Sequence, residues 1–250
     1  MVKPLSSLNI LCYRWGDRYG VEYVNKLHSM VRRHLPVDHI FHCVTDNKAG
    51  LNPGIEAHEL PDIGIAGNWN KLQTFREDFL GLQDQYIVCM DIDLVIVDSL
   101  EFLTESPEFS FMIAKNWAKG MRGNSSVYRL KVGSHTEVWK DFIANPERVI
   151  DNFHGKDRLG GDQRWMNHRI KDYNYFQDGR VISFKRHCWA KSLSIQLPFI
   201  GQLSTAPVGK AIAPQGASVI AFTGKPLPPD VRDSHCGRWR HAPFVAEHWC

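Results

Sequence analysis

Residues 86–100, Tyr-Ile-Val-Cys-Met-Asp-Ile-Asp-Leu-Val-Ile-Val-Asp-Ser-Leu, decide how the chain is read. The unbroken apolar run from Tyr86 to Met90 has the pattern of a strand buried on both faces, as in the centre of a parallel sheet. Asp91 and Asp93 follow at its C-terminal end, and open α/β sheets bind their ligands outside that end. If the backbone stays extended there, both carboxylates point to the same side. Their like charges then repel unless a proton or a cation lies between them. A hard divalent ion such as Mn2+ or Mg2+ suits carboxylate oxygens and bridges readily to a diphosphate. The plainer alternative is two solvated acids ending a strand, because a bare Asp-x-Asp is common. The buried run before the pair and the second apolar run after it favour the metal. Asp98 reads as a cap of the next segment.

Outward from this stretch, strands and helices alternate. Residues 8–13 form a strand-length apolar run, followed by the turn-like Arg14-Trp15-Gly16-Asp17. Val21, Val24, Leu27, Met30 and Val31 recur at helical spacing until Pro36 stops them. Residues 39–44 predict a second strand and residues 55–60 a short third one. Leu72, Phe75, Phe79 and Leu80 predict a helix over 69–80, with Lys71 near its start. Strands are expected at 109–114 and 127–132, with a polar loop over 120–126 between them. Further expectations are a helix through Val138 and Phe142, a helix opening at Asp162, strands at 181–184 and 218–222, and a closing helix over 244–249. The Gly- and Pro-rich stretch 197–216 reads as a flexible loop. Alternating elements imply an α/β fold around a mixed, mostly parallel sheet flanked by helices. No domain boundary stands out, so residues 1–250 read as one domain, with a nucleotide-binding half at 1–100 and a donor-sugar and acceptor half at 101–250.

Composition narrows the function classes. With 30 basic against 27 acidic residues the formal net charge is +3, too balanced for a nucleic-acid binder acting by bulk charge. The N-terminal apolar run is too short and broken for a signal peptide, and no stretch approaches the roughly 18 apolar residues of a transmembrane helix. Six scattered cysteines, without a CxxC pair, read as small buried side chains in a reducing compartment. A cytoplasmic protein is expected, with peripheral membrane contact left open. His235-Cys236 and His187-Cys188 lack tetrahedral zinc spacing, and no zinc site is expected from them.

The run ending in Asp91-Ile92-Asp93, with Lys71 upstream, resembles the GT-A glycosyltransferases, particularly the retaining family 8 group and its bacterial relatives. Three segments extend the resemblance in the same order along the chain. Gly123-Asn124-Ser125-Ser126-Val127 is similar to the segment that lines the donor sugar, with Ser126 where a Gly is usual. Gly161-Asp162-Gln163 is similar to the Asp-Gln segment beside the transferred sugar carbon. Phe222-Thr223-Gly224-Lys225-Pro226 is similar to the C-terminal loop over the diphosphate. The resemblance implies transfer of a sugar, with retention, from a nucleoside-diphosphate sugar (a UDP-sugar before other donors) to a carbohydrate or glycolipid acceptor. It implies nucleotide contacts from Tyr13, Arg14, Trp15 and Lys71, donor contacts from Asn124 and Ser125, and Mn2+ or Mg2+ on Asp91 and Asp93. Catalytic roles fall to Asp162, Gln163 and Lys225. One departure stands out: the family's histidine beside the C-terminal Gly is missing, since Ala221, Phe222 and Thr223 stand there. Thr223, a water, His235 or His241 would have to complete the metal site.

Two rivals remain. A haloacid-dehalogenase-type phosphotransferase also ends a strand with Asp-x-Asp, but usually opens its domain with it, whereas about 90 residues come first here. A non-catalytic nucleotide- or sugar-binding protein on the same fold would explain the missing histidine and Ser126.

Overall fold

The computed structural model describes residues 3–118, 122–155, 158, 160–172, 174–190, 195–197, 201–203 and 209–250. In chain order the strands are β1 (Ser7–Arg14), β2 (Asp38–Thr45), β3 (Ile55–Glu59), β4 (Tyr86–Met90), β5 (Leu94–Ile96), β6 (Phe111–Lys115), β7 (Gly123–Lys131), β8 (Asn174–Tyr175), β9 (Val181–Ser183), β10 (Ile195–Leu197), β11 (Gly201–Leu203) and β12 (Val219–Ala221). The α-helices are α1 (Val21–His34), α2 (Glu137–Ala144), α3 (Pro146–Phe153), α4 (Asp162–Arg169), α5 (Phe184–His187), α6 (Pro228–Arg232) and α7 (Pro243–His248). Two compact units result: residues 1–25, 37–92 and 101–178 form the first, and 26–36, 93–100 and 179–250 the second.

The first unit is built on a seven-stranded mixed sheet in the order β3-β2-β1-β4-β7-β6-β8. β3, β2, β1 and β4 run parallel, while β7 pairs antiparallel with β4 and β6. The β4 run lies where its pattern predicts: Ile87, Val88, Cys89 and Met90 are all buried. Each such side chain contributes roughly 1.5–3 kcal/mol by leaving water, so the strand has no solvent-facing register to slip into. On one face Leu11, Tyr13, Val44, Ile87, Cys89, Phe75, Tyr128, Phe142 and Trp165 form a continuous core. Trp69 stacks on Phe142 and Phe75 on Tyr128. Arg129 is fully buried on β7; its guanidinium donates to the carbonyls of Leu103, Glu105 and Ser106 and so ties down the 103–106 turn.

Two local expectations are corrected. Residues 69–80 do not form one α-helix: Gly67–Phe75 is a 3-10 helix, and a separate short turn covers Phe79–Gly81. Helical spacing of apolar residues presumes a solvent face, but Asn70, Lys71, Gln73 and Thr74 are buried as well. Asn70 donates to the carbonyls of Ile65 and Gly67, and Thr74 to that of Lys71, which are local bonds that compete with an α-helical ladder. Within the expected polar loop 120–126, Gly123 to Ser126 belong to β7. A register shift between Ile113 and Ala114 in the β6–β7 pair lets Gly123 and Asn124 rejoin the ladder.

The second unit holds a three-stranded sheet in the order β5-β12-β9. β12 pairs antiparallel with β5 and parallel with β9. Phe184 stacks on Phe222 beneath it. Of the expected loop at 197–216, residues 198–200 and 204–208 lie outside the described residues, whereas Leu197 and Gly201–Leu203 are strand residues of β10 and β11, which pair antiparallel. Cys12, Cys43, Cys89 and Cys188 are buried free thiols. Among the described residues no helix is long and apolar enough to cross a membrane.

Candidate active site

In the first unit the C-terminal end of β4, the start of β7, the 3-10 helix and the start of α4 bring several predicted residues together. Lys71 donates to Asp91 Oδ1 at 2.6 Å, and its Nζ lies 3.9 Å from Asp162 Oδ2 and 3.5 Å from the Ser125 carbonyl. It is an interior ammonium, 5% exposed, held between two carboxylates of which Asp162 is equally buried. Burial alone would push the Lys71 ammonium down, but Asp91 and Asp162 outweigh it and hold the amine protonated. Burial pushes the Asp162 carboxyl above its ordinary range, and Lys71 opposes that shift. Asp91 is the accessible member, with 29% of its side chain exposed.

Asp162 and Gln163 open α4, and both reach β7. The Ser125 amide donates to Gln163 Oε1 at 3.0 Å, and Ser125 Oγ lies 3.4 Å from Asp162 Oδ2. Asn124 Oδ1 accepts from the Ser126 amide, and the Ser126 carbonyl accepts from the Asp91 amide at 2.9 Å. Lys71, Asp91, Asn124, Ser125, Asp162 and Gln163 are therefore one hydrogen-bonded constellation. Gly161 sets the angle of α4: its φ is 154°, and a Cβ there would lie 2.5 Å from the Trp69 ring and 2.6 Å from the Phe153 carbonyl.

The remaining predicted residues are placed differently. Tyr13 is a core residue whose hydroxyl bonds Thr74 Oγ1 at 3.0 Å. Arg14 donates to the carbonyls of Tyr19 and Asn47, bracing the turn after β1. Trp15 is half-buried against the core. The backbone bends at Ile92 and Asp93, so the extended geometry that would align the two acids does not hold. Asp93 itself is 8% exposed and begins a segment of the second unit. In that unit Lys225 is exposed, Thr223 has a φ of 49°, and Lys185 donates to the Thr223 carbonyl at 3.0 Å. The His241 ring is engaged with the Arg232 carbonyl.

One residue that holds the constellation was not read from the sequence. Asn167, one turn along α4 from Gln163, accepts from the Gly123 amide and donates to the carbonyls of Gly123 and Gln163, locking helix to strand. Its signal is only the i, i+4 spacing with Gln163 on a predicted helix.

An α/β sheet with this order, and a polar constellation at the C-terminal edge of its parallel strands, is the GT-A-like fold of glycosyltransferases. Solved structures share it. The galactosyltransferase LgtC, crystallised with donor and acceptor sugar analogs, matches at a TM-score of 0.62 and 14% identity, covering 95% of this chain and 94% of LgtC. A Gln-to-Glu active-site mutant of LgtC matches at 0.61 and 13% identity, over 96% and 95%. The glycosyltransferase GlyE of Streptococcus pneumoniae TIGR4 matches at 0.53 and 16% identity, over 69% of this chain and 46% of GlyE. No protein-family model and no curated protein sequence matches the chain. At these identities the likeness is one of fold.

Proposed function

We propose that this chain is a metal-dependent glycosyltransferase that moves a sugar from a nucleoside-diphosphate sugar, preferentially a UDP-sugar, to a carbohydrate or glycolipid acceptor. The observation that carries this reading is the buried Lys71 between Asp91 and Asp162, on a fold whose LgtC example was solved with donor and acceptor sugar analogs. An interior ion triad is costly to desolvate; a chain that keeps one at the ligand-binding edge of its sheet has a use for fixed charge there.

In the reaction the anomeric carbon exchanges its bond to a diphosphate oxygen for one to an acceptor hydroxyl oxygen, whose proton passes to the departing diphosphate as negative charge grows there. Lys71 has a fixed positive charge suited to that anion, and the family resemblance, not a position in the structure, assigns Lys225 to a phosphate as a point charge. Gln163 and Asp162, held by Ser125 and Asn167, orient the sugar hydroxyls; an active-site glutamine is also what the LgtC mutant replaces. Arg14 ends β1 and Trp15 begins the turn after it, where the nucleotide is expected. The donor set at Asp91 fits a hard divalent ion: Lys71 engages one carboxylate oxygen, and the side chain is still partly open. Asp91 and Asp93 would hold Mn2+ or Mg2+, which when bound supplies Lewis-acid neutralisation of the diphosphate. No His, Cys, Asp or Glu completes a group of three metal-capable ligands with them among the described residues. Water and donor oxygens would fill the other positions.

The test is Mn2+-dependent hydrolysis or transfer with a panel of UDP-sugars. Asp91→Asn and Asp93→Asn are each expected to lower turnover about 100-fold or more, as lost charge stabilisation does at such sites, with the fold unchanged by circular dichroism. Unchanged turnover in both variants would eliminate the assigned metal role. Turnover of phosphomonoesters instead of sugar nucleotides would eliminate the transferase.

A further inference from the structure

A second polar cluster lies in the same sheet, away from Asp91. His42 on β2 pairs in register with Glu56 on β3, and Val44 pairs with His58, so His42, Glu56 and His58 share one face. His42 Nδ1 is 3.0 Å from His58 Nε2 and 3.4 Å from Glu56 Oε2, and the three ligand atoms all lie within 4.8 Å of one another. On its other side His42 Nε2 is 3.1 Å from Asn9 Oδ1. The Asn9 amide is itself oriented, because its Nδ2 donates to Gln85 Oε1 and to the Tyr86 carbonyl. Its oxygen therefore faces His42 and can only accept, which places the His42 proton on Nε2 and leaves Nδ1 a bare lone pair aimed at His58 and Glu56.

We infer that His42, Glu56 and His58 form a three-ligand site for a zinc-class divalent ion, with Asn9 fixing the ligand tautomer of His42. Ligand atoms around a tetrahedral zinc, each bonded at about 2.0–2.1 Å, stand roughly 3.3 Å apart, and two of the separations here, 3.0 and 3.4 Å, match. Two imidazoles and one carboxylate suit zinc better than magnesium or manganese. The Asn9 amide oxygen, accepting from the far nitrogen, takes the place that a carboxylate or backbone carbonyl usually fills behind a metal-bound histidine. The burial gradient also fits: the His42 side chain is 3% exposed and that of Glu56 56%, so one ligand is anchored in the core while the other can swing onto an arriving ion and leave a fourth position for water. Before an ion arrives, His58 Nε2–H donates to His42 Nδ1; binding moves that proton to His58 Nδ1, so the ring stays neutral throughout. The site lies two strands to the side of β4: His42 pairs in register with Leu11, and Leu11 with Cys89. β1 stands between β2 and β4, so at about 4.8 Å per strand the cluster is roughly 10 Å across the sheet from the strand that Asp91 follows.

The test titrates Zn2+ alone into tag-free, chelator-stripped full-length chain by calorimetry, with Co2+ as the spectroscopic probe. The expected result is one Zn2+ per chain and the visible absorption of four-coordinate Co2+. His58→Ala and Glu56→Ala, both at the open side of the site, should each weaken binding at least tenfold, and Asn9→Ala about 10- to 100-fold. Asp91→Asn should leave Zn2+ uptake unchanged, which separates this site from the proposed catalytic metal. No uptake by the unmodified chain, uptake undiminished in the folded His58→Ala and Glu56→Ala variants, or loss of uptake in Asp91→Asn would each overturn the inference.

Discussion

At the C-terminal end of β4 an ammonium sits between two carboxylates, whereas two strands away, on β2 and β3, two imidazoles and a carboxylate gather beside a carboxamide. Both clusters bury polar atoms on one face of one sheet, yet they solve the desolvation problem differently. The Lys71 end keeps full charges inside and neutralises them pairwise. The His42 cluster leaves its one carboxylate, Glu56, at the solvent side and keeps a neutral ring inside: burial and the neighbouring His58 bring the His42 imidazole down to about 4, so it is neutral at ordinary pH. Fixed charge suits a substrate whose own charge changes during reaction. Neutral nitrogen suits a ligand that must stay put. The difference shows that chemistry, more than burial, separates a candidate reaction centre from a candidate structural ion site.

The largest test of that contrast is Lys71→Met. Removing the ammonium leaves two carboxylates facing each other in the interior, and we expect a stability loss of about 3–5 kcal/mol together with at least a 100-fold loss of turnover. Adding Asp162→Leu should recover part of the stability and none of the activity, because it removes the uncompensated charge without restoring a cation. Chemical denaturation with parallel kinetics measures both. A Lys71→Met chain as stable as the parent would show that the triad is not the charge-compensated unit described.

Gly161→Ala probes the same end through geometry. The added methyl meets the Trp69 ring and the Phe153 carbonyl at 2.5 and 2.6 Å, so α4 must shift. Overpacking of this kind costs about 1–3 kcal/mol, and turnover should fall because Asp162 and Gln163 occupy the first turn of the displaced helix. A variant with unchanged melting temperature and kinetics would mean that α4 is not positioned by this contact.

The smallest expected effect is the sharpest on the comparison itself. If the two clusters are independent, stability changes from Lys71→Met and His58→Ala should add to within about 0.5 kcal/mol, as they do for sites well separated in a protein. A larger coupling would mean that the sheet transmits strain from β2 and β3 to β4, and that the clusters form one site.

Much of this was legible before any coordinates. The unbroken run 86–90 determined a doubly buried central strand, since no alternation leaves a face for water. The position of Asp91 at its end followed from that. The Asp-Gln pair at 162–163 was marked by a glycine break followed by an acid in a first helical turn. What only the tertiary structure decided was partnership. Lys71 and Asp91 lie twenty residues apart, and Lys71 and Asp162 ninety-one; no local pattern says that one ammonium serves both. His42 and His58 are sixteen apart with no motif between them, and they meet because β2 and β3 pair in one register and not the next. Local propensity and hydrophobic period act over a few residues, so they specify elements. Long-range contacts depend on which strands become neighbours and in what register, and that is settled only when the whole core is buried at once.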